Sequence, residues 1–202
     1  MWIELTNSWI ALINIIGIPT CHLGIAWLCT RLPASLFEKP HHQDSHHDRG
    51  TDSVIYEKLF LVRYWKSLLP DAAPWFNGFA KGSLSSTKID YLQSFVTETR
   101  RGEFSHWLQM LAISLFIIWT PHPWLFIILI YAILSNAPCI INLRYTRLRI
   151  LSLIDKKKSK ERLSIIQKKL SENQMNKNKS LEGKIVNVLV ENKMKDGIKL
   201  FG

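Results

Sequence analysis

Two glutamates, two arginines and a histidine fall within ten residues in Glu98-Thr99-Arg100-Arg101-Gly102-Glu103-Phe104-Ser105-His106-Trp107. On a helix, Glu103 and His106 stand at i and i+3 and share a face. A carboxylate from Glu103 or Glu98 beside the imidazole would fix its tautomer and raise its basicity, which a general base needs. The competing reading is an interfacial salt-bridge cluster that anchors a membrane segment, and spacing alone favours it. Further along, Asn136 lies inside an apolar run, where facing lipid would cost free energy, so it is expected to point inward and could hydrogen-bond a developing oxyanion. Arg144-Tyr145-Thr146-Arg147-Leu148-Arg149 follows that run. Orienting a membrane helix is the ordinary purpose of such a cluster; gripping phosphates of a donor or lipid is the sharper one.

The elements that must position these groups are apolar. Trp9 to Cys29 gives 21 consecutive uncharged residues, enough for one helix across about 30 Å of hydrocarbon. Glu4 is the only charge before the run, so it lacks the basic flank of a signal peptide and reads as a retained membrane helix. Pro19 is a possible kink. A second apolar region, 104–143, is broken by Thr120-Pro121-His122-Pro123, which predicts a helical hairpin with a tight turn. Its first arm, Trp107 to Trp119, is only 13 residues, so whether the hairpin spans or re-enters is open. Arg31, Lys39, Arg100, Arg101, Arg144, Arg147 and Arg149 flank the apolar ends, and the positive-inside rule puts those ends in the cytoplasm. The expected organisation is mainly α: a transmembrane helix over 1–29, a cytoplasmic or interfacial region over 30–103, a membrane hairpin over 104–143 and a basic tail over 144–202. A multi-pass protein of the cell membrane, active on its cytoplasmic side, follows.

Composition supports this division. Residues 1–150 carry 13 basic and 10 acidic groups and all eight Trp, whereas 151–202 carry 13 basic and 6 acidic groups and no Trp. Cys21, Cys29 and Cys139 lie in apolar runs at no metal-ligand spacing, which argues against a disulfide framework or cysteine zinc site. No phosphate-binding glycine loop, nucleophile elbow or zinc-protease signature occurs. Four His and two Asp in 41–48 could bind zinc or nickel, but a solvated loop is the better reading, and the HxxxxD spacing of His47 and Asp52 is expected by chance in such a loop. No metal and no cofactor are expected. Val54 to Leu69 has apolar groups and bases at helical spacing, predicting one amphipathic helix at the headgroups or against the core. Ser85 or Ser86 is expected to cap a helix from near Thr87, with Gly102 its weak point. Asp155 to Lys179 predicts a Lys-rich amphipathic helix, 185–190 a strand, and 195–197 a turn. Such a tail attracts anionic lipid; it lacks the aromatic residues that stack bases, so no nucleic-acid partner is expected.

Four short motifs in order carry a family resemblance: TRLP (30–33), VRYWK (62–66), ETRRGEFSHW (98–107) and NAPCIINLRYTRLR (136–149). Over roughly 23–150 the chain resembles the glycosyl-4,4'-diaponeurosporenoate acyltransferases, membrane enzymes that complete staphyloxanthin-type carotenoids. It departs from the motifs at Gly102 and Thr146, and the tail has no counterpart in them. The resemblance implies transfer of a fatty acyl group, from acyl-CoA or an acyl-carrier protein, to the C6 hydroxyl of the glucose on a glycosylated carotenoid. His106, Glu103, Glu98 and Asn136 are then the candidate catalytic groups. Arg63, Trp65, Lys66, Arg100, Arg101, Trp107, Arg144, Tyr145 and Arg147 are the candidate substrate-binding groups. Membrane lipids, a homo-oligomer or a pigment-enzyme complex are the expected partners. The alternative is a non-enzymatic scaffold that binds anionic lipid or partner enzymes through its tail.

Overall fold

The computed structural model describes residues 3, 5–38, 49–69, 73–185, 192–193 and 200–201. It is mainly helical and divides into two compact units, Met1–Lys156 and Lys157–Gly202. Its elements are α1 (Asn7–Arg31), α2 (Arg49–Phe60), α3 (Val62–Trp65), α4 (Ile89–Ser114), α5 (Trp124–Leu181), four short 3-10 turns, and the two-residue strands β1 (Asn192–Lys193) and β2 (Leu200–Phe201). The strands pair antiparallel, Asn192 opposite Phe201 and Lys193 opposite Leu200. The strand expected at 185–190 and the turn at 195–197 lie almost wholly outside the described residues, as do the histidines of 41–48.

α1 follows from the long uncharged run and ends where Leu32 turns extended before Pro33. It runs through Pro19 unbroken, and α5 likewise through Pro138. Both helices hold stretches long and apolar enough to cross a bilayer. Only Ile10 and Cys29 of α1 are buried, while Trp9, Ile15, Ile16, Leu23 and Trp27 stand exposed. An apolar helix with so little protein cover is suited to lipid, not to water.

Gly102 does not interrupt α4. The helix continues because Leu143 packs where a side chain would be: a Cβ at Gly102 would sit 3.1 Å from Leu143 Cδ1. The 54–69 segment, by contrast, is not one helix. Leu61 adopts φ 49°, ψ 34°, and separates α2 from α3. The break is held from both sides, since Val62 is fully buried and Trp65 Nε1 donates to the Phe60 carbonyl at 2.7 Å. α4 starts at Ile89 without a side-chain cap; Ser86 Oγ instead accepts from the Lys88 amide at 3.2 Å.

Within the first unit, α4 and the beginning of α5 pair antiparallel in side-chain register. Leu92, Phe95 and Val96 pack with Ile150, Leu151 and Ile154 at one end. At the other, Ile113 and Phe116 pack with Ile128 and Ala132, with Ile13, Ile18 and Cys21 of α1 against them. The turn between the helices is tied to α1: Asn14 Nδ2 donates to Thr120 Oγ1 at 3.3 Å, and Trp119 Nε1 donates to Asn14 Oδ1 at 3.0 Å. Gly17 lets α1 approach this turn, a Cβ there lying 2.8 Å from Phe116 Cε1. The start of α1 and the 119–123 turn therefore share one end of the unit.

The second unit holds the last turns of α5, which extends to Leu181. Every side chain from Ser159 to Ser180 is exposed. Leu163, Ile166 and Leu170 fall on one side of this segment and are exposed among the described residues.

Candidate active site

His106 sits midway along α4, half-buried, and its Nδ1 lies 3.0 Å from Asn136 Oδ1. The direction of that bond follows from the rest of Asn136. Its Nδ2 donates to the Ala132 carbonyl at 2.9 Å and to Ser135 Oγ at 3.1 Å. Reversing the carboxamide would turn its oxygen on the Ala132 carbonyl, so Oδ1 faces the imidazole and Nδ1 must carry the hydrogen. In the neutral ring Nε2 then keeps its lone pair, the state a general base needs. Asn136 is fully buried, as the cost of facing lipid requires. Both of its donors already have partners, and its oxygen faces His106.

The carboxylates are committed elsewhere. Glu103 accepts from Arg144 Nε at 2.6 Å and pairs with Arg147 Nη2 at 2.7 Å, one oxygen to each. Glu98 pairs with Arg101 Nη1 at 2.7 Å, one turn along α4. The expected Glu103–His106 or Glu98–His106 pairing is thus replaced by ion pairs, because a guanidinium offers a carboxylate a full opposite charge and a neutral imidazole does not. Burial alone would raise the Glu103 pKa, but Arg147 and Arg144 together hold it below the ordinary carboxylate value.

Around this centre the remaining predicted residues divide. Tyr145 is almost fully buried, with Lys66 Nζ 5.9 Å and the Arg149 guanidinium 5.7 Å from its ring centroid. Arg149 Nη1 also donates to Tyr145 Oη at 3.0 Å. Arg100 Nη1 donates to the Phe37 carbonyl at 3.3 Å, and Arg101 lies over the Phe37 ring. Arg101 Nε and Arg147 Nη1 are buried without a hydrogen-bond partner among the described residues. Trp107 is exposed beside His106. Arg63 is apart from the group: it pairs with Glu57 and its side chain is 72% exposed. Trp65 holds the α2–α3 break. The structure therefore gathers Glu98, Arg101, Glu103, Arg144 and Arg147 into ion pairs between or along α4 and α5, and sets His106 and Asn136 beyond them.

A second polar cluster escaped the sequence reading. His22 of α1 lies with Nδ1 2.9 Å from Gln109 Oε1. Gln109 Nε2 donates to the His22 carbonyl at 3.3 Å and to Ser105 Oγ at 3.2 Å. Tyr131 Oη is 3.3 Å from His22 Nε2. The available signal was polar side chains embedded in apolar runs, which a membrane tolerates only when they meet one another.

A histidine hydrogen-bonded to a buried carboxamide and two sets of arginine–glutamate ion pairs thus stand on α4 and α5, in a chain with two helices long and apolar enough to cross a membrane. The family model of glycosyl-4,4'-diaponeurosporenoate acyltransferases matches residues 33–156. More than half of the chain is covered, so it belongs to this family and is an acyltransferase of the membrane. A glycosyl-4,4'-diaponeurosporenoate acyltransferase of Staphylococcus haemolyticus is 32% identical over 132 residues, 65% of this chain and 77% of that one. The enzyme of the same name from Staphylococcus aureus strain MRSA252 is 31% identical over 133 residues, 65% of this chain and 80% of that one. A stretch of 52 residues, 26% of this chain, is 77% identical to a tRNA-2-methylthio-N(6)-dimethylallyladenosine synthase of Pelagibacter ubique; the chain spans 12% of that protein's length. No solved structure matches. The acyltransferase match ends at 156, one residue before the second compact unit begins.

Proposed function

We propose that the chain transfers a fatty acyl group from a thioester donor, acyl-CoA or acyl-carrier protein, to the C6 hydroxyl of the glucose on a glycosylated carotenoid acid. His106 Nε2 takes the hydroxyl proton as the oxygen bonds to the acyl carbon. The carbon–sulfur bond then breaks, and the imidazolium returns the proton to the departing thiolate. The observation that carries this reading is the 3.0 Å His106–Asn136 bond, which leaves Nε2 as the basic nitrogen. Charge developing on the carbonyl oxygen is stabilised by the cationic surplus of Arg101, Arg144 and Arg147 over Glu98 and Glu103, with Arg147 Nη1 supplying an unused donor.

The site faces the cytoplasmic leaflet and the chain is multi-pass. Supporting this, Arg101, Arg144 and Arg147 lie beyond the apolar Ile113–Ile128 cluster on the side away from the 119–123 turn, and Arg31 closes the end of α1 away from that turn, as the positive-inside rule requires. The apolar end of α4 and the start of α5 form the hairpin that receives the acyl chain and polyene. The test is mass spectrometry of pigment extracts from cells expressing the parent or His106→Ala at equal protein level. Loss of the acylated glycoside with accumulation of its deacylated form is expected; unchanged extracts refute the reading.

A second reading rests on the uniformly exposed Lys-rich end of α5: a scaffold that engages anionic lipid or partner enzymes. It requires the tail for pigment acylation and leaves His106→Ala harmless.

A further inference from the structure

Leu61 holds a left-handed conformation, φ 49°, ψ 34°, which a branched side chain rarely adopts and glycine adopts without cost. Its side chain is exposed, and Tyr64 and Leu68, at i+3 and i+7 from it, are 79% and 80% exposed. The bend is nevertheless fixed from beneath, because Val62 is fully buried and Trp65 Nε1 donates to the Phe60 carbonyl. A strained backbone that turns apolar side chains outward is worth keeping when something apolar receives them.

Two contacts set the level of this segment in the first unit. Lys66 Nζ lies 5.9 Å from the ring centroid of Tyr145, the neighbour of Arg144, which is the first charge after the apolar run of α5. The 3-10 turn Ala73–Phe76 meets the end of α1: a Cβ on Gly78, whose amide donates to the Ala73 carbonyl, would sit 3.2 Å from Thr30 Cγ2. Thr30 precedes Arg31, the first charge after the apolar run of α1. Trp75 of that turn is 69% exposed. Both attachments therefore fall where an apolar helix gives way to charge, the depth at which Trp and Tyr favour a bilayer. Lys58, Arg63 and Lys66 against Glu57 leave residues 57–66 with a cationic surplus. A two-fold contact between copies would set those cations against each other, whereas anionic headgroups would pair with them. We propose that the bend at Leu61 and the 73–76 turn form an interfacial anchor, which inserts Leu61, Tyr64, Leu68 and Trp75 among the headgroups and upper acyl chains of an anionic bilayer. The headgroup plane is then level with Arg144 and its partner Glu103, and His106, three residues along α4, lies about 4.5 Å deeper.

The test places a nitroxide on Leu68→Cys in the full chain, with Cys21, Cys29 and Cys139 replaced by Ala, in vesicles of phosphatidylglycerol and phosphatidylcholine. Power saturation compares access of oxygen, which partitions into lipid, with access of a water-soluble nickel complex. Oxygen access should exceed nickel access, as it should for a label on Ile15→Cys of α1. A label open mainly to nickel puts the segment in water and overturns the proposal. A label closed to both reagents shows that protein, a second copy or another partner, covers the surface, and overturns it as well. Should the cysteine-free chain not fold, the otherwise unaltered chain serves, with its Trp emission quenched by phospholipids brominated near the headgroup. Trp75→Phe should then remove the Trp75 share of the quenched emission, one Trp of eight; quenching equal to that of the parent overturns the anchor. Neither readout involves acyl transfer, so failure here leaves the role of His106 standing, and an active His106→Ala leaves the anchor standing.

Discussion

Replacing Glu103 by Gln keeps the shape of the side chain and removes the charge that joins α4 to α5. Glu103 makes two short charge-assisted bonds, 2.6 Å to Arg144 and 2.7 Å to Arg147. Such bonds contribute about 1.5–3 kcal/mol each when shielded from water. Arg147 is shielded, with 18% of its side chain exposed, whereas Arg144 is 42% exposed and its share is reduced by solvent. The glutamine can still accept from one arginine but turns N–H groups on the other. A loss of about 3 kcal/mol is expected, which lowers Tm by about 6–12 °C for a chain of this size. The assay is thermal unfolding of the detergent-solubilised protein across pH. Because the folded pKa of Glu103 is depressed, its stabilisation is fully present above the unfolded value of about 4.3. It is lost as pH falls through the lower folded value, so the gap between parent and variant narrows in acid. A gap under about 2 °C at neutral pH, or one that does not narrow in acid, refutes the reasoning.

Asn136→Leu strands the His106 Nδ1–H and frees the ring to rotate; steady-state kinetics should show kcat reduced about 10- to 100-fold at a KM little changed. Gly17→Val forces atoms onto Phe116 and should cost about 1–3 kcal/mol in thermal unfolding. Gly24→Val on the same helix, where a Cβ meets nothing within 4 Å, should stay within about 0.5 kcal/mol of Gly17's parent. A stop codon in place of Lys157 removes the second unit; pigment analysis should find acylation within about twofold of the full chain, since the family match lies within the first.

What could be read from the sequence was the part governed by local composition. The run Trp9 to Cys29 forces α1, and the inward position of Asn136 follows from the cost of an amide in lipid. Most of the failures involve partners distant in the chain. Glu103 and His106 do share a helical face, but Arg144 and Arg147, about forty residues later, take the carboxylate. Gly102 looks like a helix breaker until Leu143 is placed against it. The turn at Leu61 has no glycine or proline to announce it, and depends on burying Val62. His22 and Gln109 are separated by 87 positions, and nothing local in either run says that they meet.

Around the His106 and His22 clusters the surface carries side chains that water does not favour: Trp107, Leu111, Tyr131 and Leu134 are each more than 40% exposed. A substrate dissolved in the bilayer meets this surface by moving sideways, without first crossing into water. The quantity that saturates such an enzyme is the mole fraction of acceptor in the lipid, not its molarity in the suspension. Adding inert phospholipid at constant enzyme and substrate should therefore slow the reaction, while diluting the vesicles in buffer should leave occupancy by the acceptor unchanged.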